Sequence, residues 1–272
     1  MDFKLVDEFI QDVENSIQVT KGNCQLKDLK VGVDLGTAYI VLVVLDKANN
    51  PIACELEFAQ VVKDGLVVDY IGALNIVKKL KAKLEGRLGV ELTRAAIAVP
   101  PGTGEGDCRS HRYVVEGSGM EVTAILDEPT AANAVLNIKD GVVVDIGGGT
   151  TGLAIFDKGK VVYIADEATG GTHLSLVIAG NYKINFEEAE EKKKDKDCQR
   201  EVFTIVVPVI EKMASIIKSH IAGFHVDNIF LVGGTCCLNG IEEIIEKETG
   251  IRTLKPTNPF LITPTGIAMH CK

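Results

Sequence analysis

The sequence predicts an α/β protein of two similar lobes that face each other across a central cleft. Its 272 residues are long enough for two lobes, and 46% of them are hydrophobic, as in ordinary globular proteins. The order of strand, acidic turn, strand, hairpin and strand occurs twice, in VGVDLGTAYIVLVVLDKANN from residue 31 and in VVVDIGGGTTGLAIFDKGK from residue 142. The turn aspartates, Asp34 and Asp145, are separated by 111 positions (145 − 34). This weak internal repeat predicts two lobes whose turns face each other.

Apolar periodicity predicts the elements in order along the chain. Apolar residues at 3-4 spacing in 1–19 predict an amphipathic helix, either packed on the first lobe or free to dock a partner. Short apolar runs between turn residues predict strands at 30–34, 40–45, 52–58, 94–99, 122–126, 142–145, 152–156, 160–166 and 228–232. Helical spacing predicts helices at 71–84, 111–118, 129–136, 174–180, 202–221, 239–250 and 264–270. Pro208 is expected to interrupt the 202–221 helix early, and 186–197 is a highly charged stretch.

These elements divide the chain into three parts. We predict an N-terminal helical extension over 1–30, a first lobe formed by 31–138 together with 255–272, and a second lobe formed by 139–254. Two helices, at 128–138 and 259–270, are expected to connect the lobes.

Composition argues against several classes of partner. Lys and Arg total 29 against 38 acidic residues, a net charge of −9, which disfavours binding to nucleic acid or to an anionic membrane. No apolar run approaches the roughly 20 residues that a membrane span needs, and the acidic N-terminus is unlike a signal peptide. The seven cysteines are scattered without a CxxC motif, which is typical of reduced thiols in a cytoplasm.

The two acidic turns, at 34–37 and 145–151, have the composition of phosphate-binding turns. In each, an aspartate ends a buried strand and is followed by glycine, which lets the backbone approach a ligand closely. Successive backbone N–H groups can then converge on phosphate oxygens, and threonine hydroxyls add donors. Because carboxylates repel phosphate, we expect Mg²⁺ between them. One such turn alone would more often be a plain hairpin, but two at matching positions favour a ligand site.

The motifs resemble those of the actin, sugar kinase and heat-shock chaperone ATPase superfamily. The turns at 33–37 and 145–151 are similar to its two phosphate motifs, and V-G-G-T at 232–235 is similar to its adenosine motif. The segments D-E-P-T-A-A at 127–132 and T-P-T-G-I-A at 263–268 resemble its connecting helices. The resemblance implies a two-lobed actin-like ATPase fold, made of duplicated ribonuclease-H-like domains with a central nucleotide cleft.

Further segments resemble a chaperone-like, actin-fold family of ethanolamine utilisation that is encoded with bacterial microcompartment genes. They are the N-terminal helix, V-V-K-D-G-L-V-V-D-Y at 61–70, P-P-G-T at 100–103, A-D-E-A-T-G-G-T-H at 165–173 and I-N-F-E-E-A-E at 184–190. This resemblance implies ATP or ADP with Mg²⁺ as ligands and a protein client in ethanolamine catabolism, either a lyase or a microcompartment component. It also implies a cytoplasmic location, which can include association with a microcompartment.

The resemblance implies a role for each matching residue. Asp34 and Asp145 would hold Mg²⁺ through water, and Glu128 would position the attacking water, which makes these three the predicted catalytic residues. The predicted nucleotide contacts are Gly36, Thr37, Gly147, Gly148, Gly149, Thr150 and Thr151 in the turns, Gly170 and Gly171 beside the ribose or phosphate, Glu190 and Lys193 at the ribose and base, and Gly233, Gly234 and Thr235 around the adenosine. For Glu190 and Lys193, a solvated charged helix is an equal alternative.

Two departures from the family pattern favour slow ATP hydrolysis at most. Gly152 stands where relatives carry an acid at the end of the second phosphate turn. The catalytic lysine of the chaperones has no aligned counterpart, although Lys78, Lys79, Lys81 and Lys83 lie in the right region. A nucleotide-dependent switch is therefore the favoured function. The alternatives are an actin-like filament former and, less favoured, a small-molecule kinase.

Overall fold

The computed structural model describes residues 3–20, 27–195 and 197–272. Part of the predicted N-terminal extension therefore lies outside the described residues. The strands are β1 (Lys30–Leu35), β2 (Tyr39–Leu45), β3 (Pro51–Phe58), β4 (Val62–Lys63), β5 (Leu66–Val67), β6 (Arg94–Val99), β7 (Glu121–Asp127), β8 (Gly141–Ile146), β9 (Thr151–Asp157), β10 (Lys160–Glu167), β11 (Asn228–Val232) and β12 (Arg252–Leu254). The α-helices are α1 (Lys4–Asn15), α2 (Tyr70–Leu88), α3 (Glu105–Glu116), α4 (Glu128–Leu136), α5 (Gly171–Tyr182), α6 (Phe186–Lys194), α7 (Gln199–Ile221), α8 (Ile241–Thr249) and α9 (Ile262–Met269).

Two five-stranded sheets have the same topology. The first has the order β3-β2-β1-β6-β7 and the second the order β10-β9-β8-β11-β12. In both, the first three strands along the chain pair antiparallel and the last two are added in parallel. Each sheet has its own apolar core on one face, and a third apolar cluster joins the two sheets. The predicted duplication is confirmed, while the exact residue bounds of the lobes stay a prediction.

Helices α4 and α9 pack against each other at very short backbone distance. A Cβ on Gly266 of α9 would lie 1.9 Å from the carbonyl oxygen of Ala131 in α4, so only glycine fits there. Helix α9 also lies directly on β1, because a Cβ on Gly32 would meet the backbone nitrogen of Ala268 at 2.4 Å. These contacts pack α4, α9 and β1 together at backbone distance.

The structure corrects three details of the predicted elements. Helix α7 runs through Pro208 without a break: Pro208 lies on its exposed face, while a continuous apolar face is buried on the other side. The burial of that face outweighs a proline penalty of about 3 kcal/mol. The charged stretch at 186–197 contains α6, which begins in a capping box between Asn185 and Glu188. Helix α3 begins at Glu105, six residues earlier than the sequence predicted.

Helix α1 packs across both halves of the molecule. Val6, Ile10 and Val13 are buried in the apolar cluster that joins the two sheets. The ring of Phe3 makes an edge contact with Phe230 of β11, at 6.2 Å between ring centroids. Of the two roles predicted for the N-terminal helix, the structure supports packing, and this packing extends to both lobes.

Shortening Ile10 should therefore destabilise the whole protein. Ile10→Ala removes a side chain that is only 1% exposed and should lower the free energy of unfolding by about 2–5 kcal/mol in chemical denaturation. The control, Leu5→Ala on the same helix, removes a side chain that is 78% exposed and should change it by less than about 0.5 kcal/mol. Equal effects of the two substitutions would show that α1 does not pack in this way.

Candidate functional site

The two acidic turns are closed by the same backbone hydrogen bond. The amide of Gly36 donates to the carbonyl of Tyr39 at 3.0 Å, and the amide of Gly147 donates to the carbonyl of Thr150 at 3.0 Å. Both donor and acceptor are related by the 111-residue offset of the sequence repeat. The local geometry of the two turns is therefore duplicated along with the sheets.

The amides at the tips of the turns are free to bind an anion. In the parts of the chain that the structure describes, the amides of Thr37, Ala38, Gly148 and Gly149 donate no hydrogen bond. They occupy equivalent positions in the repeat, two in each turn. Converging free amides of this kind form an anion-binding nest. Ala38 was missed in the sequence because it contributes its backbone rather than its side chain.

The carbonyls of the second turn are held on the opposite side. The amide of Gly171 and the hydroxyl of Thr235 donate to the carbonyl of Gly147, at 3.0 and 2.7 Å. Both the amide and the hydroxyl of Thr172 donate to the carbonyl of Gly148 at 2.8 Å. The first turn of α5 therefore fixes the orientation of the peptide groups in the second acidic turn.

The tips of the two turns touch each other. A Cβ on Gly148 would lie 3.2 Å from Cβ of Thr37, and one on Gly149 would lie 2.7 Å from the Thr37 hydroxyl and 2.9 Å from the backbone of Asp64. Glycine is needed at these positions for the close approach of the two turns as well as for any ligand. The two halves of the molecule are therefore in direct contact at the tips of the two turns.

Three carboxyl groups lie at the floor of the cleft. Burial and the charge of Asp145 raise the pKa of Asp34 to about 7. Burial raises the pKa of Asp145 to about 6, although a hydrogen bond from Thr263 opposes the shift. Burial, followed by the charges of Asp145 and Asp34, raises the pKa of Glu128 well above its ordinary value. A group of carboxyls that resist ionisation together favours a cation nearby.

Gly233 makes room for the carboxylate of Asp145. Its φ of 92° lies in a region that other residues rarely adopt, and a Cβ there would lie 2.3 Å from Oδ1 of Asp145. The neighbouring Gly234 and Thr235 line the same cavity. The predicted adenosine motif is therefore also a support for the carboxylate.

Glu190 and Lys193 form a buried network rather than a solvated helix face. Glu190 is 5% exposed and accepts hydrogen bonds from Lys193 and Ser175. The ammonium group of Lys193 also donates to the Ser175 hydroxyl at 2.8 Å and to the carbonyl of Gly171 at 3.1 Å. Both residues lie on the cavity wall rather than on a fully solvated helix face.

Lys194 bridges the mouth of the cavity. Its Nζ lies 4.5 Å from the ring centroid of Phe58 and 4.9 Å from that of Tyr39, and it is 3.2 Å from the Tyr39 hydroxyl. It is also 3.4 Å from a carboxylate oxygen of Glu190. The lysine belongs to α6 beside the second sheet, whereas both aromatic rings belong to the first sheet. This contact therefore joins the two halves across the opening.

The structure brings most of the predicted site residues to one cavity of about 740 Å³, within the range of small-molecule sites. Those on its wall are Asp34, Gly36, Thr37, Glu128, Asp145, Gly147, Gly148, Gly149, Thr150, Glu190, Lys193, Gly233, Gly234 and Thr235. Thr151, Gly170 and Gly171 lie behind the wall. The Thr151 hydroxyl donates to the carbonyl of Thr169 at 2.6 Å, so this side chain points away from the cavity.

The lysines of α2 do not line the cavity. Lys79, Lys81 and Lys83 make ion pairs with Glu57, Glu85 and Glu55 on α2 and β3. None of these lysines lines the cavity, whereas Lys63 does. Lys63 was missed because nothing in its local sequence indicates that the β4–β5 hairpin reaches the second acidic turn.

The described residues also limit what the chain can bind or cross. Among them, no three His, Cys, Asp or Glu side chains are grouped so that they could hold a metal ion directly. No helix in the described ranges is both long and apolar enough to cross a membrane.

Duplicated sheets, paired acidic turns and an interlobe cavity define a protein of the actin-like ATPase fold, and the solved structures agree. PilM in a PilM–PilN type IV pilus biogenesis complex covers 88% of this chain and 97% of its own, with a TM-score of 0.74 and 14% identity. MreB5 of Spiroplasma citri bound to ADP covers 88% and 95%, with a TM-score of 0.69 and 17% identity. A family model for the type IV pilus assembly protein PilM matches residues 114–265.

Greater similarity is found to proteins of ethanolamine utilisation. The ethanolamine utilization protein EutJ of Escherichia coli K12 is 44% identical over 241 residues, which are 88% of this chain and 85% of that protein. The crystal structure of EutJ from Carboxydothermus hydrogenoformans is 48% identical, covers 99% of both chains and has a TM-score of 0.93. The chain belongs to the EutJ family of ethanolamine utilisation proteins. The predicted fold and the predicted family are both confirmed.

The cleft carboxyls should make the stability of the ligand-free protein fall as pH rises. Because the folded-state pKa values of Asp34 and Asp145 lie above the ordinary 3.8, the folded protein holds more protons than the unfolded chain between about pH 4 and 7. Stability is therefore lost as these groups ionise in the folded state. Between pH 5 and 7.5 we expect the Tm to fall by about 3 °C or more.

Thermal melts of the wild type and of Asp34→Asn across this range test the assignment. The variant removes one of the titrating groups and should show a shallower fall. A Tm that is constant or rises with pH, or an unchanged slope in Asp34→Asn, would contradict the proposed electrostatics.

Proposed function

We propose that the protein is an ATP-binding, nucleotide-dependent switch of ethanolamine utilisation, with slow ATP hydrolysis at most. The observation that carries this proposal is the set of four free amides, two at matching positions in each acidic turn. In this proposal the amides of Thr37, Ala38, Gly148 and Gly149 bind the phosphates. Backbone amides suit phosphate because the turn fixes their direction, so that they donate hydrogen bonds to the phosphate oxygens without a charged side chain.

The carboxyls of the cleft fit Mg²⁺ as the partner of these phosphates. Asp34 and Asp145 would hold the ion through water, which agrees with the absence of a direct metal cluster among the described side chains. A bound cation would stabilise the charged forms of both groups, whose pKa values burial raises. When bound, the ion supplies charge neutralisation to the phosphates, while Glu128 holds and orients a water molecule.

The other end of the cavity suits a nucleoside. Gly233, Gly234 and Thr235 would line the adenosine pocket, and the Glu190–Lys193 network would meet the ribose and base. Solved structures of MreB5 of Spiroplasma citri are bound to ADP and to AMPPNP, which supports an adenine nucleotide as the ligand class. Gly170 and Gly171 would support the phosphate turn from behind rather than touch the ligand.

Binding at this place would move the lobes. The tips of the two turns touch at Thr37 and Gly148, so phosphates between them require the halves to separate or shift. The crossing of α4 and α9 at Gly266 is the natural pivot, and the Lys194 bridge to Tyr39 and Phe58 would break on opening. Nucleotide affinity and lobe angle are thereby coupled, as a switch requires.

The arrangement of charges favours slow hydrolysis. Lys79, Lys81 and Lys83 of α2 are engaged in ion pairs away from the cavity, whereas Lys63 of the β4–β5 hairpin lies on the cavity wall. Charge neutralisation of the reacting phosphate therefore rests mainly on the cation and the backbone amides.

Family membership supports a client from ethanolamine catabolism. In this proposal the client is a lyase or a microcompartment component, and the protein is cytoplasmic or associated with the microcompartment. The client would recognise the angle between the lobes, which the nucleotide sets. The net charge of −9 favours a protein client over nucleic acid or a membrane surface.

Calorimetric titration of ATP with and without Mg²⁺ tests the proposal. The wild type should bind ATP, and more tightly with Mg²⁺. Gly149→Ala should weaken binding by at least about tenfold, because its methyl group would fill the space between the two turns in which the phosphates are proposed to bind. Gly180→Ala is the matched control, since a Cβ there has nothing within 4 Å and should leave affinity unchanged. A wild type that binds no ATP, or equal affinities for the two variants, would refute nucleotide binding at these turns.

A further inference from the structure

Asp166 lies in one row with Asp145 and Gly152 on a single face of the second sheet. Asp145 of β8 pairs with Gly152 of β9, and Gly152 pairs with Asp166 of β10. Directly paired residues on neighbouring strands point to the same face of a sheet. The row therefore consists of two carboxylates with a residue between them that has no side chain.

A β-bulge produces this alignment. The register of β9 and β10 shifts by one residue between Val161 and Tyr163. Without the shift, Ala165 would lie opposite Gly152, and the side chain of Asp166 would point to the other face of the sheet. Bulges are frequent next to functional sites, where they redirect a side chain.

One oxygen of Asp166 is buried without a partner. Its Oδ1 atom accepts no hydrogen bond from any described residue, and it would lie 3.5 Å from a Cβ placed on Gly152. The same Cβ would lie 2.9 Å from Cδ of Pro101, so the first sheet's 100–103 loop covers this place. A buried carboxylate oxygen without a donor is costly and calls for a ligand or an ion.

Asp166 is close enough to the carboxyls of the cleft floor to interact with their charges. The pKa of Asp166 is raised to about 6, first by burial and then by the charges of Asp145, Glu167 and Asp64, while a hydrogen bond from Thr150 opposes the shift. The charge of Asp166 in turn raises the pKa of Glu128. Asp166 therefore shares one electrostatic environment with the carboxyls of the proposed site.

We propose that Asp166 is the positioning carboxylate that holds the hydrated cation of the bound nucleotide from the side opposite Asp145, with Gly152, which has no side chain, between the two. This inference rests on the proposed function. It also accounts for the absence of an acid at Gly152. Asp166 of the neighbouring strand supplies the carboxylate that the second turn lacks, and a side chain at 152 would collide with Pro101.

The test follows ADP binding at a fixed ADP concentration while Mg²⁺ is increased. Asp166→Asn keeps the shape of the side chain and should raise the Mg²⁺ concentration for half-maximal binding by about tenfold, as outer ligands of metal sites do. Glu167→Gln removes the same charge one residue away on the opposite face of β10 and should change it by less than about twofold. Equal Mg²⁺ dependence in Asp166→Asn and wild type would overturn the inference.

Thermal melts without ligand separate a positioning role from a structural one. Asp166→Asn removes a charge that burial disfavours and keeps an oxygen that can accept the hydrogen bond from Thr150, so its Tm should equal or exceed that of the wild type. A Tm lower by more than about 5 °C would assign Asp166 to the fold alone and overturn the inference. A wild type that binds no nucleotide at any Mg²⁺ concentration would overturn the proposed function as well, whereas normal Mg²⁺-dependent binding in Asp166→Asn would overturn this inference only.

Discussion

The candidate site depends on one backbone hydrogen bond that is made twice. In each half, the amide of Gly36 or Gly147 closes a turn onto a carbonyl three residues further along. Closure leaves the next two amides of each turn without a partner among the described residues, and the first turn of α5 holds the carbonyls of the second turn away from them. The remaining features of the cleft, including its glycines and its carboxyls, take their places around these two turns.

The cleft gives up stability for this arrangement. Carboxyls whose pKa values are raised mainly by burial are costly at neutral pH, and the fold retains them beside the glycines that the close approach of the two turns requires. Two separate apolar cores and the cluster that joins them offset the cost. Helix α1 belongs to that joining cluster, so it stabilises the same lobe arrangement that a nucleotide would have to alter.

The sequence was sufficient for the fold and for most of the cleft, because both follow from local patterns. Strand periodicity and the 111-residue offset place Asp34 and Asp145 at equivalent strand ends, and the structure brings both to one cavity wall. Asp166 escaped prediction because a bulge of one residue decides which face it occupies, and single-sequence patterns do not show bulges. The predicted break at Pro208 was wrong because the burial of a long apolar face of α7 outweighs the local cost of one proline. The burial of Glu190 could not be predicted because it depends on contacts with α5, which the charged sequence of this stretch does not reveal.

The most direct test of the account is the NMR response of the turn amides to Mg²⁺ and ADP. The account predicts that the backbone amide signals of Thr37, Ala38, Gly148 and Gly149 shift together at one binding affinity, because all four would donate to the same phosphate groups. Amides that already have protein acceptors, such as those of Gly171 and Thr172, should move much less. Saturable ADP binding that leaves the four tip amides unshifted would contradict it.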